Sequence, residues 1–143
     1  MAIKFYRTKD PHGYMGNFYR ARMFIYGRWW NWVESPYQAE KSLDRAEQDM
    51  IWQAQKPMEA RDLGQKVKMR EGWDLVKDMV MYDCVMAKFL QHKNIRDQLI
   101  ATGDEELIED SPVDWYWGCG KDGTGQNHLG QILMRVRKEL QGE

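Results

Sequence analysis

Cysteine is scarce: Cys84 and Cys119 are the only two in 143 residues. Their spacing matches no metal motif, and one pair of thiols cannot frame a small disulfide-stapled fold. Histidine is as thin. His12, His92 and His128 are scattered, so no metal site is expected, and neither a serine nor a cysteine nucleophile motif occurs. Net charge is nearly absent, at −1, which argues against nucleic-acid binding driven by bulk charge. No apolar run approaches the roughly 20 residues needed to cross a bilayer. The opening MAIKFYRTKD has no basic-then-apolar signal pattern, so a cytoplasmic protein with reduced thiols and no membrane partner is expected. There is no internal repeat, low-complexity tract or linker, and the length suits a single domain over residues 1–143 with a real core.

What is abundant is large, shape-rich apolar surface: 7 Trp, 7 Tyr and 10 Met, which suit both cores and flat-ring ligands. Charge is also uneven. Residues 1–30 hold Lys4, Arg7, Lys9, Arg20, Arg22 and Arg28 against one acid, Asp10. Residues 103–114 hold Asp104, Glu105, Glu106, Glu109, Asp110 and Asp114 with no base. The basic part can meet a phosphate; the acidic part reads as a solvated loop.

Short strands are predicted at IKFYR and ARMFIYG, with PHGYMGN as a turn region between them and RWWNWVE as a third strand. Ser35 reads as an N-cap, with Pro36 at the first helical position and Gln38 at the third, and this helix runs toward DRAEQDMIWQAQ, with or without a break. Pro57 opens a short helix that Gly64 stops. Trp73 to Gln91 is the clearest helix, with an apolar stripe at Trp73, Val76, Val80, Cys84, Ala87 and Leu90. Asn94 caps a helix that Gly103 ends, ELIE reads as a strand, and the last helix buries Leu129, Ile132, Leu133, Val136 and Leu140. Helices do not alternate regularly with strands, so the expected class is α+β: one compact, helix-rich domain with a few short strands.

Three stretches can carry chemistry. In WVESPYQAEK, Tyr37 and Lys41 share a helix face, Gln38 is near, and Glu34 sits where the helix start favours an anion. The same residues also read as a capped helix with a surface lysine. DWYWGCGKDGTGQNHLG, from Asp114 to Gly130, gathers an acid, two tryptophans and five glycines around a helix start. It reads as a phosphate-approaching loop or as a long connection with Asn127 as cap; the glycine spacing is neither a dinucleotide nor a P-loop fingerprint. In GYMGNFYRARMF, Asn17 is a turn residue or an amide that reads a hydroxyl-rich ligand. Cys84 falls on the buried stripe, and Cys119, in the glycine loop, is expected to be more exposed.

Taken in order, GNFYRARMF, WVESPYQAEK, REGWDLVKDMVMYDCVMAKF, LIATGDEELIE, and DWYWGCG followed by GQNHLGQILMRVR resemble the sequence blocks of the NADAR family over nearly the whole chain. Departures are Ser35-Pro36 where many members have His after the glutamate, Ser42 where many have Phe, Gly16 where Ser is frequent and Gly72 where Asp is frequent. Glu34, Lys41, Asp114 and Asn127 are intact.

The resemblance implies a compact, helix-rich α+β fold and N-glycosidase chemistry, with no cofactor. The implied substrates are small phosphoribosyl or ADP-ribosyl compounds: the phosphoribosylamino-pyrimidine intermediates of riboflavin synthesis, or ADP-ribose joined through nitrogen to guanine in nucleic acid. A non-catalytic ADP-ribose-binding module is the alternative. Breaking a ribose C1–N bond builds positive charge on the sugar, so a carboxylate near C1 is wanted, and Glu34 is assigned to it. Lys41 either forms a Schiff base with the opened ribose or pairs with Glu34. Asp114 completes the catalytic set and, with Asn127, holds ribose hydroxyls. Tyr37 and Gly118 line the substrate, Trp73 and Trp117 stack on its base, line the pocket or belong to the core, Asn17 reads its hydroxyls, and Arg70 meets phosphate, with Arg22 a phosphate candidate on its charge alone.

Overall fold

A computed structural model describes residues 1–142. In chain order they form β1 (Ala2–Phe5), a 3₁₀ turn (Gly13–Met15), β2 (Met23–Ile25), β3 (Arg28–Trp30), α1 (Glu34–Ala39), α2 (Arg45–Trp52), α3 (Pro57–Gly64), α4 (Trp73–Gln91), α5 (Lys93–Ala101), β4 (Glu106–Glu109) and α6 (His128–Gln141). The class is α+β. No helix among the described residues is long and apolar enough to cross a membrane. The chain divides into two compact units, Arg20–Gln91 and Met1–Tyr19 with the segment from His92 onward.

The unit made of both ends of the chain is built on a parallel pair, β1 with β4, Ala2 opposite Glu106 and Phe5 opposite Glu109. Phe5 and Leu107 are buried, and α6 covers β4 with Leu129, Leu133, Val136 and Leu140, its one apolar face. Ile132 lies at the edge of that face and is half-buried. Gly130 is required where α6 crosses β4: a Cβ there would stand 2.1 Å from the Leu107 carbonyl oxygen. Asn94 is not the cap of α5. The helix begins two residues earlier than that cap implies, at Lys93, with His92 in the cap position. Cys119 is buried rather than exposed, and its Sγ donates to Asp110 Oδ1 at 3.5 Å.

The central unit opens with a hairpin, β2 antiparallel to β3, with Met23 opposite Trp30 and Ile25 opposite Arg28. Its two-residue turn, Tyr26-Gly27, takes φ of 53° and 78°. That left-handed pair is the turn whose twist matches the strands. Helices α1, α2 and α3 close over Trp30, Ala39, Ile51, Ala54 and Ala60, with Ile25, Leu63 and Val67 at the margin.

Ser35 does not cap α1. The helix starts at Glu34, after a Val33 that is itself helical, and no side chain caps it. Trp32 and Val33 are buried, so packing fixes this start and Ser35 needs no capping role. The helix ends at Ala39, and a separate one, α2, is capped by Asp44, whose carboxylate accepts from Ala46 N at 2.9 Å. Along α4, Trp73, Val80 and Cys84 are buried as the stripe predicts, but Leu90 is exposed and Met81, Val85 and Phe89 are buried instead. The 3.6-residue repeat drifts from a fixed stripe over nineteen residues. Lys88, on the buried side, is only 1% exposed.

Candidate active site

All six residues of α1 are buried, Glu34 and Gln38 among them. Three of them, Glu34, Ser35 and Gln38, are polar, and a buried polar group is costly unless it is hydrogen-bonded. Gln38 Nε2 donates to Glu34 Oε2 at 2.5 Å, one helical turn away. Glu34 is 8% exposed and lies in the first turn, where the helix dipole favours a negative charge.

Lys41 follows in the turn after α1. Its backbone carbonyl accepts from Arg70 N at 2.7 Å, which pins the segment on both sides. Its Nζ lies 6.0 Å from the Tyr37 ring centroid. Burial lowers the Lys41 pKa; the Glu34 carboxylate opposes that shift, and the cations Arg61 and Lys77 add to it. The amine is therefore easier to deprotonate than an ordinary lysine, and it senses the carboxylate of Glu34.

Tyr37 and Trp73 meet with ring centroids 5.4 Å apart, and the Arg70 guanidinium lies 5.5 Å from the Trp73 ring. Arg70 also reaches Glu40 Oε1 at 3.9 Å. Burial raises the pKa of Glu40, and Arg70 counters it. Five of the residues singled out in the sequence, Glu34, Tyr37, Lys41, Arg70 and Trp73, thus form one neighbourhood around α1. Trp73 is deeply buried, so within this unit its ring serves mainly as a wall for Tyr37 and Arg70. Arg22 is elsewhere in the unit. It stands at the hairpin, 5.2 Å from the Trp29 ring.

Glu40 was missed from the sequence, and Gln38 was placed near Lys41 there without a role toward Glu34. The signal for Gln38 was available: it is four residues after Glu34, on the same helix face. The capping-box pattern assigned it to a different partner.

The remaining residues build the other unit's glycine-rich loop. Asp114 Oδ1 accepts from Trp117 N at 2.7 Å and Tyr116 N at 3.0 Å, a turn that sets the loop's path. Backbone bonds then tie this loop to the start of α6: Asn127 N to Gly118 O at 3.0 Å, His128 N to Tyr116 O at 2.9 Å and Leu129 N to Trp117 O at 3.1 Å. Gly118 is buried against Ser111. Asn127 precedes α6 at φ 53°, but its side chain does not cap the helix. Instead Oδ1 accepts from Glu109 N and Nδ2 donates to Leu107 O, each at 2.9 Å, so the amide acts as a piece of strand on β4. Trp117 is half-buried and meets Tyr116 and His128, which stack at 4.0 Å. Asn17 lies beyond the 3₁₀ turn, half-buried. Among the described residues no cluster of His, Cys, Asp or Glu has the arrangement of a metal site.

Comparison with known proteins places the chain. A family model described as the NADAR domain matches residues 4–141. N-glycosidase Npun_R5314 of Nostoc punctiforme is 44% identical over 145 residues, covering 98% of this chain and 93% of that one. N-glycosidase YbiA of Escherichia coli is 37% identical, over 96% of this chain and 88% of that one. The riboflavin biosynthesis protein VVA0006 of Vibrio vulnificus is 40% identical over 97% of this chain, which spans 38% of that longer protein. The NMR structure of E. coli YbiA superimposes with a TM-score of 0.91 at 37% identity, over 98% of this chain and 84% of that one. With the family model spanning almost its full length, this chain belongs to the NADAR family.

Proposed function

We propose that this chain is an N-glycosidase, a hydrolase of ribose C1–N bonds, with Glu34 and Lys41 as its catalytic residues. The observation that carries the reading is the pairing on one short buried helix and its following turn: a carboxylate, and a half-buried amine whose pKa is lowered by burial and raised by that carboxylate. Relatives named as N-glycosidases over nearly their whole length support the reaction class.

In hydrolysis, the C1–N bond breaks with its electron pair leaving on nitrogen, which takes up a proton. Water forms the new C1–O bond and gives up a proton to Glu34, whose negative charge also stabilises the cationic sugar. Lys41 offers a covalent variant. Its neutral amine adds at C1 of the opened ribose and expels the nitrogen leaving group. Water then releases the sugar from the Schiff base. This route requires an uncharged amine, the form that burial of Lys41 favours.

Arg70 is the group best suited to a substrate phosphate, being half-buried and held between Glu40 and Trp73. The substrate proposed is a phosphoribosylamino-pyrimidine of riboflavin synthesis, in keeping with the name of the Vibrio vulnificus relative. Two free thiols suit the reducing cytoplasm assigned to it.

The test is a side-by-side turnover assay with the phosphoribosylamino-pyrimidine and with N-linked ADP-ribosyl guanine. Release of ribose phosphate from the first is expected. Turnover of the second alone would move the substrate to nucleic acid, and binding of either without product would make the chain a reader instead of an enzyme.

A further inference from the structure

Gln38 has an amide that is satisfied on one side only. Its Nε2 donates to Glu34, while its Oε1 is buried with no hydrogen-bond partner, and the side chain as a whole is 4% exposed. Turning the amide over would not cure this. It would set an oxygen against the Glu34 carboxylate at the same short distance, acceptor facing acceptor. The orientation is therefore dictated by Glu34, and the fold tolerates an orphaned carbonyl to keep it.

What holds the amide there is α3. Gly64 packs directly on it: a Cβ at position 64 would lie 2.0 Å from Gln38 Oε1 and 2.7 Å from its Cδ. Gly64 ends α3 and is itself buried. Only a residue without a side chain lets α3 approach the Gln38 amide this closely.

We infer that Gln38 is the positioning residue of Glu34, fixing its carboxylate by donation from Nε2, and that Gly64 holds Gln38 in that orientation. This rests on the reading of Glu34 as the catalytic carboxylate. The donated N–H does two things. It occupies Oε2 and so fixes the plane of the carboxylate, and a donated N–H favours an ionised acceptor over a protonated one.

Three variants and a control test it by turnover of the phosphoribosylamino-pyrimidine as a function of pH. Gln38→Met keeps the volume and removes the donor. It is expected to lower kcat by on the order of 10²-fold, as misplacement of a reacting group does, with KM little changed and the acid limb of the profile moved to higher pH. Gly64→Ala is expected to give the same signature in weaker form.

Gln38→Glu supplies the decisive arm. Its new carboxyl can donate to Glu34 while protonated and repels it once ionised. Activity is therefore expected at low pH and lost as pH rises, the reverse of the donorless variant. Wild-type kcat and pH profile in Gln38→Met, or in Gln38→Glu if the methionine variant does not fold, would overturn the inference. Glu34→Gln is the control. Full turnover there sinks the assignment of Glu34 itself, whereas a dead Glu34→Gln beside a wild-type Gln38→Met sinks only the positioning role.

Discussion

Arg70 and Lys41 are joined through their main chains: the Arg70 N–H donates to the Lys41 carbonyl at 2.7 Å. The link brings the segment before α4 against the turn after α1. Because it is made by backbone, side-chain changes at either position leave it in place.

Arg70→Met is accordingly expected to raise KM for a phosphorylated substrate roughly tenfold or more, the loss of one charge-assisted contact. It should leave kcat within a few-fold. Steady-state kinetics with phosphorylated and dephosphorylated substrates check this. An equal change in KM for both would remove phosphate from the role of Arg70.

Glu34→Gln is expected to lower kcat by at least about 10²-fold, the scale of a lost general base, with the fold retained. A circular-dichroism melt beside the turnover assay measures both. Because Gln38 Nε2 now donates to Glu34, the substituted amide must present its own oxygen to keep that bond.

Lys41 predicts a pH dependence of definite sign. Its pKa is lowered from the ordinary 10.5, so the neutral amine appears at lower pH than for a free lysine. A rate that uses this amine rises with pH and levels off before the ordinary lysine range. Borohydride added during turnover is expected to leave a covalent adduct at Lys41, seen as a mass shift that Lys41→Met abolishes. No adduct at saturating substrate, with Lys41→Met still active, would discard the Schiff-base route.

Lys88 tests stability instead of catalysis. Burial pushes its pKa down to about 7. Between that value and the roughly 10.4 of an unfolded lysine, the unfolded chain holds a proton that the folded one lacks. Stability therefore rises with pH through this window, and the burial penalty is fully felt below it. Lys88→Met is expected to flatten that slope, read from urea midpoints near pH ~6.5 and pH ~9.5. An unchanged slope would mean the lysine stays charged in the fold.

Asn127→Asp keeps the acceptor for Glu109 N but loses the donor to Leu107 O. It also sets a carboxylate against a carbonyl. A loss of about 1–3 kcal/mol is expected, with faster hydrogen exchange at the β4 amides. Wild-type stability would show that the strand-like plug is dispensable.

Much of this was written locally. The 3.6-residue repeat placed α4 and α6, Pro57 placed α3, and ordered blocks of residues identified the family. These rest on contacts within a few residues of chain, where spacing alone specifies geometry. The start of α1 was not so written. Ser35, Pro36 and Gln38 form a sound capping pattern, yet burial of Trp32 and Val33 sets the helix start at Glu34 and gives Gln38 to that carboxylate. Likewise Asn127 was legible as the residue before a helix, but its amide was claimed by β4, nearly twenty residues upstream. Lys88, of a residue type that is ordinarily exposed, is buried. A sequence states which hydrogen bonds and burials are possible for each side chain. Which of them is made depends on what distant segments, such as α3 with Gly64, bring within reach, and only the tertiary structure decides that.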